Sequence, residues 1–85
     1  MMTPPQHLHF RREDPSRNVA RYYGLSLQPT LFGPVALVRV WGRIGTRGQQ
    51  RIEWHATEGE AEAAFARQAA RRRKRGYAEI GSPVA

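Results

Sequence analysis

The sequence predicts an α+β fold: a small antiparallel β-sheet of four to five strands, with one long helix in the C-terminal half packed on one face. Three observations lead there. Between His7 and Ala56 apolar residues recur with period two, in segments separated by Pro, Gly and Asn. From Thr57 onward the period becomes that of a helix. The length, 85 residues, gives room for one small domain.

The elements follow in order. His7–Arg12 alternates, with Leu8 and Phe10 on one side and His9 and Arg11 on the other, as a half-buried strand does. Glu13-Asp14-Pro15-Ser16-Arg17-Asn18 is a turn cluster. Arg21–Gln28 alternates again, setting Tyr23, Leu25 and Leu27 against Tyr22, Ser26 and Gln28. Pro29 and the pair Gly33-Pro34 close a loop. Val35–Trp41 is the strongest strand, rich in β-branched residues. Its two sides are Val35, Leu37, Arg39 and Trp41 against Ala36, Val38 and Val40. The second set is uniformly apolar and is assigned to the core, which turns Arg39 and Trp41 to the face away from the helix. Gly45-Thr46-Arg47-Gly48 joins this strand to Gln49–Ala56, where Ile52 and Trp54 alternate with Arg51, Glu53 and His55.

Thr57 and Glu60 form a capping box: the hydroxyl suits the amide of the third helical residue. The helix is expected to run to about Arg75, with Gly76 as its stop. Glu58, Glu60 and Glu62 lie near its start and Arg71-Arg72-Arg73-Lys74-Arg75 at its end, in agreement with the helix dipole. Ala61, Ala64, Phe65, Gln68 and Ala69 form one stripe, whose alanines permit close approach to a sheet. Tyr77–Ile80 is short and suits a last strand. The domain is expected to span 8–80, between flexible tails at 1–7 and 81–85.

Composition narrows the function. There is no cysteine, hence no disulfide framework and no thiolate metal site. No stretch approaches the ~20 apolar residues of a membrane-spanning helix, and the N-terminus lacks a signal-peptide pattern. These features predict a cytoplasmic protein, nucleoid-associated if bacterial, without a membrane partner. The net charge is +7, and every basic residue but Lys74 is Arg. A guanidinium matches phosphate geometry and stacks on flat rings, so the composition favours a polyanion. GC-rich coding or a plain basic surface accounts for it equally.

The most informative segment is Trp41-Gly42-Arg43-Ile44-Gly45-Thr46-Arg47-Gly48-Gln49, where an indole, two guanidiniums and glycine turns meet. It is one of four motifs in order. Asn18 precedes Arg21-Tyr22-Tyr23; Trp41-Gly42-Arg43-Ile44-Gly45 follows; then come Gly48-Gln49, and finally Arg72-Arg73 with Arg75-Gly76-Tyr77. Together they resemble the WGR domain, which occurs beside the catalytic part of DNA-dependent poly(ADP-ribose) polymerases and in small stand-alone bacterial proteins. The resemblance covers about Leu8 to Ile80. It implies an antiparallel sheet with a helix across one face, a role in DNA repair, and contact of Trp41 with the sugar of a DNA end. No polymerase catalytic domain or zinc finger accompanies it in this sequence, so contacts of Arg43 with such neighbours have no counterpart within the chain.

Each site residue has a plainer alternative. Trp41 suits a sugar or terminal base, or packing at a sheet edge. Arg43, just past Gly42, suits a phosphate clamp, a carboxylate clamp or a solvated loop. Arg47 at the turn tip suits a backbone phosphate. Arg39 and Arg51 fall opposite one another across the hairpin, which is unfavourable unless an anion lies between them or Glu53 pairs with one. Tyr22 offers a hydroxyl to phosphate or packs as an ordinary aromatic. Arg21, Arg72, Arg73 and Arg75 support as phosphate contacts or as a solvated face. Catalysis is excluded: His7, His9 and His55 lack ligand partners, and Glu53 with His55 would lie on an open sheet. No metal or cofactor is expected.

The leading expectation is therefore a non-enzymatic DNA-binding module, reading backbone and strand ends or breaks with little base specificity, monomeric by preference. The alternative is a protein–protein interaction module binding an acidic partner, in DNA repair by the same resemblance. RNA is a third possibility, although the paired aromatics of sheet-based RNA readers are missing.

Overall fold

The computed structural model describes residues 7–80. Five strands form one sheet: β1 (His7–Asp14), β2 (Val19–Pro29), β3 (Val35–Arg43), β4 (Gln49–His55) and β5 (Ala78–Ile80). The helix α1 (Glu58–Lys74) lies between β4 and β5 in the chain. The order across the sheet is β4-β3-β2-β1-β5, with every neighbouring pair antiparallel. The α+β architecture read from the sequence is the one observed. His7 is the first residue of β1 rather than part of a tail; the expected tails at 1–6 and 81–85 lie outside the described residues.

Local chemistry sets the element ends. Pro15–Arg17 forms a single 3₁₀ turn, and Asn18 leaves it in the left-handed region at φ 55°, the conformation Asn tolerates best after Gly. Thr57 caps α1 by accepting a hydrogen bond from the Glu60 amide at 3.2 Å, a contact worth about 1 kcal/mol. Gly76 stops it at φ 89°.

The helix crosses one face of the sheet and buries a cluster built from Leu8, Phe10, Tyr23, Leu25, Leu27, Val35, Leu37, Ala61, Ala64, Phe65 and Ala69. In register, Leu37 stands beside Leu27, Arg39 beside Leu25, and Trp41 beside Tyr23. The helix-facing side of β3 is therefore Val35, Leu37, Arg39 and Trp41. The assignment of Ala36, Val38 and Val40 to the core face is corrected: they lie on the face without a helix, beside Ile52 and Trp54 of β4. β3 is apolar on both sides for most of its length, so uniform apolarity could not single out the covered one. Arg39 and Trp41 stand where the covered face gives way to a cavity. Among the described residues no helix is long and apolar enough to cross a membrane.

Candidate nucleic-acid interface

Three connections meet at one end of the sheet: the β1–β2 turn, the β3–β4 hairpin and the C-terminal turn of α1. Between them lies a cavity of about 560 Å³, lined by Arg21, Tyr23, Arg39, Trp41, Gly42, Arg43, Arg51, Arg72 and Tyr77. Among the described residues its lining contains five arginines and no carboxylate.

Aromatic rings form the floor. Tyr23 and Trp41, neighbours in register on β2 and β3, stack with centroids 6.5 Å apart at 26°. Tyr77, entering from the end of the helix, meets Tyr23 edge-on at 6.4 Å. The Tyr23 hydroxyl donates to Gln68 Oε1 at 3.3 Å, tying this floor to the helix. Trp41 is half-buried and packs against the core. Its indole is thus a fixed wall of the cavity, on the helix side of the sheet.

The cations are held at fixed heights above these rings. The Arg72 guanidinium lies 4.1 Å from the Tyr23 centroid and 5.8 Å from that of Tyr77. Arg39 lies 5.9 Å from the Trp41 centroid. Such placements stabilise a cation against a ring face while leaving its N–H donors free at the edges. Arg39 also pairs with Glu53 at 2.7 Å, and its side chain is only 15% exposed. Arg39 and Arg51 are directly opposite across the hairpin, as expected, and the carboxylate relieves their repulsion from the Arg39 side. The Nε atoms of Arg39 and Arg72 are buried and have no hydrogen-bond partner. A buried donor without an acceptor is costly; both atoms are closed to solvent, so these arginines would meet a ligand through their terminal nitrogens.

Arg43 lines the cavity while stapling its rim. It donates from Nη2 to Asn18 Oδ1 at 3.1 Å and from Nη1 to the Asn18 carbonyl at 3.3 Å. These contacts bind the β1–β2 turn to the end of β3. A guanidinium carries five N–H donors, so the staple leaves some for an anion.

The remaining expected residues lie outside the cavity. Tyr22 is on the opposite face, and its hydroxyl donates to the backbone carbonyls of Arg47, at 2.6 Å, and Thr46, at 3.1 Å. The proposed phosphate donor is thus engaged with the hairpin: its hydroxyl lies against Gly48, where a Cβ would collide with it, and a Cβ at Gly42 would meet the Gly48 backbone. Gly48, at φ 66°, also has the Trp41 carbonyl where a Cβ would be. Arg47 is exposed at the hairpin tip and Arg75 at the helix end. Arg73 pairs with Glu79 at 2.8 Å. The structure thus brings together Trp41, Gly42, Arg43, Arg39, Arg51, Arg21 and Arg72, and sets Tyr22, Arg47, Arg73 and Arg75 apart. Tyr23 and Tyr77 were not among the expected site residues; the sign that could have marked them is their place beside arginines in two motifs, Arg21-Tyr22-Tyr23 and Arg75-Gly76-Tyr77. Among the described residues no three His, Asp or Glu side chains are placed to hold a metal ion.

Comparison with known proteins bears on the family and the fold. The sequence model of the WGR domain matches residues 6–84. The chain is 47% identical over 77 residues to y4dW, an uncharacterized protein of Sinorhizobium fredii; the match covers 91% of this chain and 38% of that protein. A crystal structure of a Bacteroides fragilis protein superimposes with a TM-score of 0.75 at 24% identity, over 88% of this chain and 19% of that one. That likeness is one of fold. This chain therefore spans well under half the length of either protein.

Proposed function

The chain belongs to the WGR domain family, whose members bind nucleic acids, and from that premise we propose that it is a non-enzymatic module that binds DNA by its backbone and strand ends. The observation that carries the proposal is the cavity at the sheet end, where five guanidiniums surround a fixed indole. Arg39 and Arg72 would each donate to a phosphate oxygen. Arg21, Arg43 and Arg51 would hold flanking phosphates. The open part of the Trp41 ring would lie against a sugar or terminal base, a contact worth ~1–3 kcal/mol and tolerant of sequence. Arg47, Arg73 and Arg75 would add charge outside the cavity. A guanidinium can pair with guanine as well as with phosphate; in this reading the arginines are engaged by phosphates, so specificity would come from the form of the DNA.

The cavity favours an end over continuous duplex because it is a recess beside rings rather than a flat basic track. The test is a binding comparison among closed circular, nicked and linear DNA of one sequence. Linear or nicked DNA should bind severalfold more tightly than closed circles at near-physiological salt. Equal affinities would reduce the interaction to charge alone, and absence of binding to all three would favour an acidic protein as the partner of the same cavity.

A further inference from the structure

The molecule is two-ended. The cavity occupies the end bearing the β3–β4 hairpin, and the opposite end has contrary chemistry. There the β2–β3 loop carries Leu31 and Phe32 at 97% and 91% exposure. Trp54, 64% exposed, projects from the same end of β4. Beyond β4 the chain enters the first turns of α1, with Glu58, Glu60 and Glu62.

The loop is built rather than slack. The Thr30 hydroxyl donates to the Pro34 carbonyl at 2.7 Å and accepts from the Phe32 amide at 3.3 Å. The Thr30 amide donates to the Pro34 carbonyl as well, at 3.2 Å. Gly33 supplies the turn at φ 102°. Two large apolar side chains are thus held in solvent by a closed loop, which lowers the ordering cost of docking them. Isolated apolar residues on a surface need no explanation; two adjacent ones on a braced loop, with an exposed indole at the same end of the sheet, set this end apart as apolar.

We propose that this end is a protein-docking surface, distinct from the basic cavity, and that its partner presents an apolar pocket bordered by Lys or Arg. Charge decides among the possible occupants. Glu58, Glu60 and Glu62 repel phosphate, which disfavours nucleic acid and anionic lipid here. They would also face their own equivalents in a two-fold pair of this chain. A cationic rim around an apolar pocket satisfies both parts of the surface.

The test is selection of a displayed random peptide library against the chain saturated with duplex DNA, so that the basic cavity is occupied. Enriched peptides should combine adjacent apolar residues with Arg or Lys. A synthetic copy should lose at least tenfold in affinity for the L31S/F32S double variant and severalfold for E58Q/E60Q. The same copy should bind R39Q/R51Q as it binds the unaltered chain. Both loop side chains touch little, so L31S/F32S should keep its thermal midpoint and its DNA affinity, which separates failure of this proposal from failure of the DNA reading. The proposal is overturned if no peptide is enriched, if enriched peptides are acidic, or if they bind L31S/F32S equally. It is also overturned if sedimentation shows Phe32-dependent self-association, or flotation shows Phe32-dependent capture by anionic vesicles.

Discussion

The guanidinium of Arg72, from the last turns of the helix, lies 4.1 Å above the ring of Tyr23, from the second strand. The cation is thereby held at a fixed place in the cavity with its Nε–H unpartnered. Arg72→Gln should weaken binding to a duplex end about tenfold, as expected for loss of one charge-assisted hydrogen bond of about 1.5 kcal/mol. The slope of log affinity against log salt should fall by about 0.9. Fluorescence anisotropy over a salt series measures both.

Trp41 combines two roles, since it packs against the core and walls the cavity. Trp41→Ala should reduce DNA affinity by ~1–3 kcal/mol with little change in salt slope, because stacking releases no counterion. The fold should persist at a lowered melting temperature. Trp41→Phe, which keeps a flat ring, should recover most of both. Unchanged affinity of the Ala variant for an end-labelled duplex would remove the stacking role.

Glu53 occupies Arg39 at 2.7 Å and so competes with any phosphate for it. Glu53→Gln should tighten DNA binding and steepen the salt dependence by about 0.9, equivalent to one further phosphate contact. Thermal stability should fall slightly, because Arg39 loses its carboxylate partner. Looser binding by this variant would mean that the pair positions Arg39 rather than restraining it.

Tyr22 supports the hairpin from the opposite face. Tyr22→Phe should cost about 1 kcal/mol of stability, the typical worth of a hydrogen bond, and leave the salt slope unchanged. Gly48→Ala should cost more, about 2 kcal/mol or above, since its Cβ would meet the Trp41 carbonyl and the Tyr22 hydroxyl at a positive φ. Chemical denaturation distinguishes the two magnitudes.

Much of this architecture was legible in the residues themselves. Thr57, Glu60 and Gly76 bounded the helix because caps are local chemistry, settled within a few positions of sequence. The pairing of Arg39 with Arg51 followed from the short hairpin between their strands. The face of β3 did not follow. Ala36, Val38 and Val40 are as apolar as Val35 and Leu37, and only the path of the helix decides which side it covers. Trp41 and Arg39 were therefore expected on the bare face, whereas they stand on the helix side, where the cover ends. The companions of Trp41 were missed for a related reason. Tyr23 and Tyr77 look like core residues, and partly are; their second surface exists only because the sheet end and the helix end leave a gap between them. The engagement of Tyr22 was not legible, because one hydroxyl beside an arginine motif cannot announce that two carbonyls, more than twenty residues away, will claim it.

The first and last strands adjoin, with His9 opposite Ile80. The first and last described residues thus stand near a single corner of the sheet, diagonal to the arginine-lined recess. A cassette with adjoining ends can be spliced into a loop of a larger host without prying either apart.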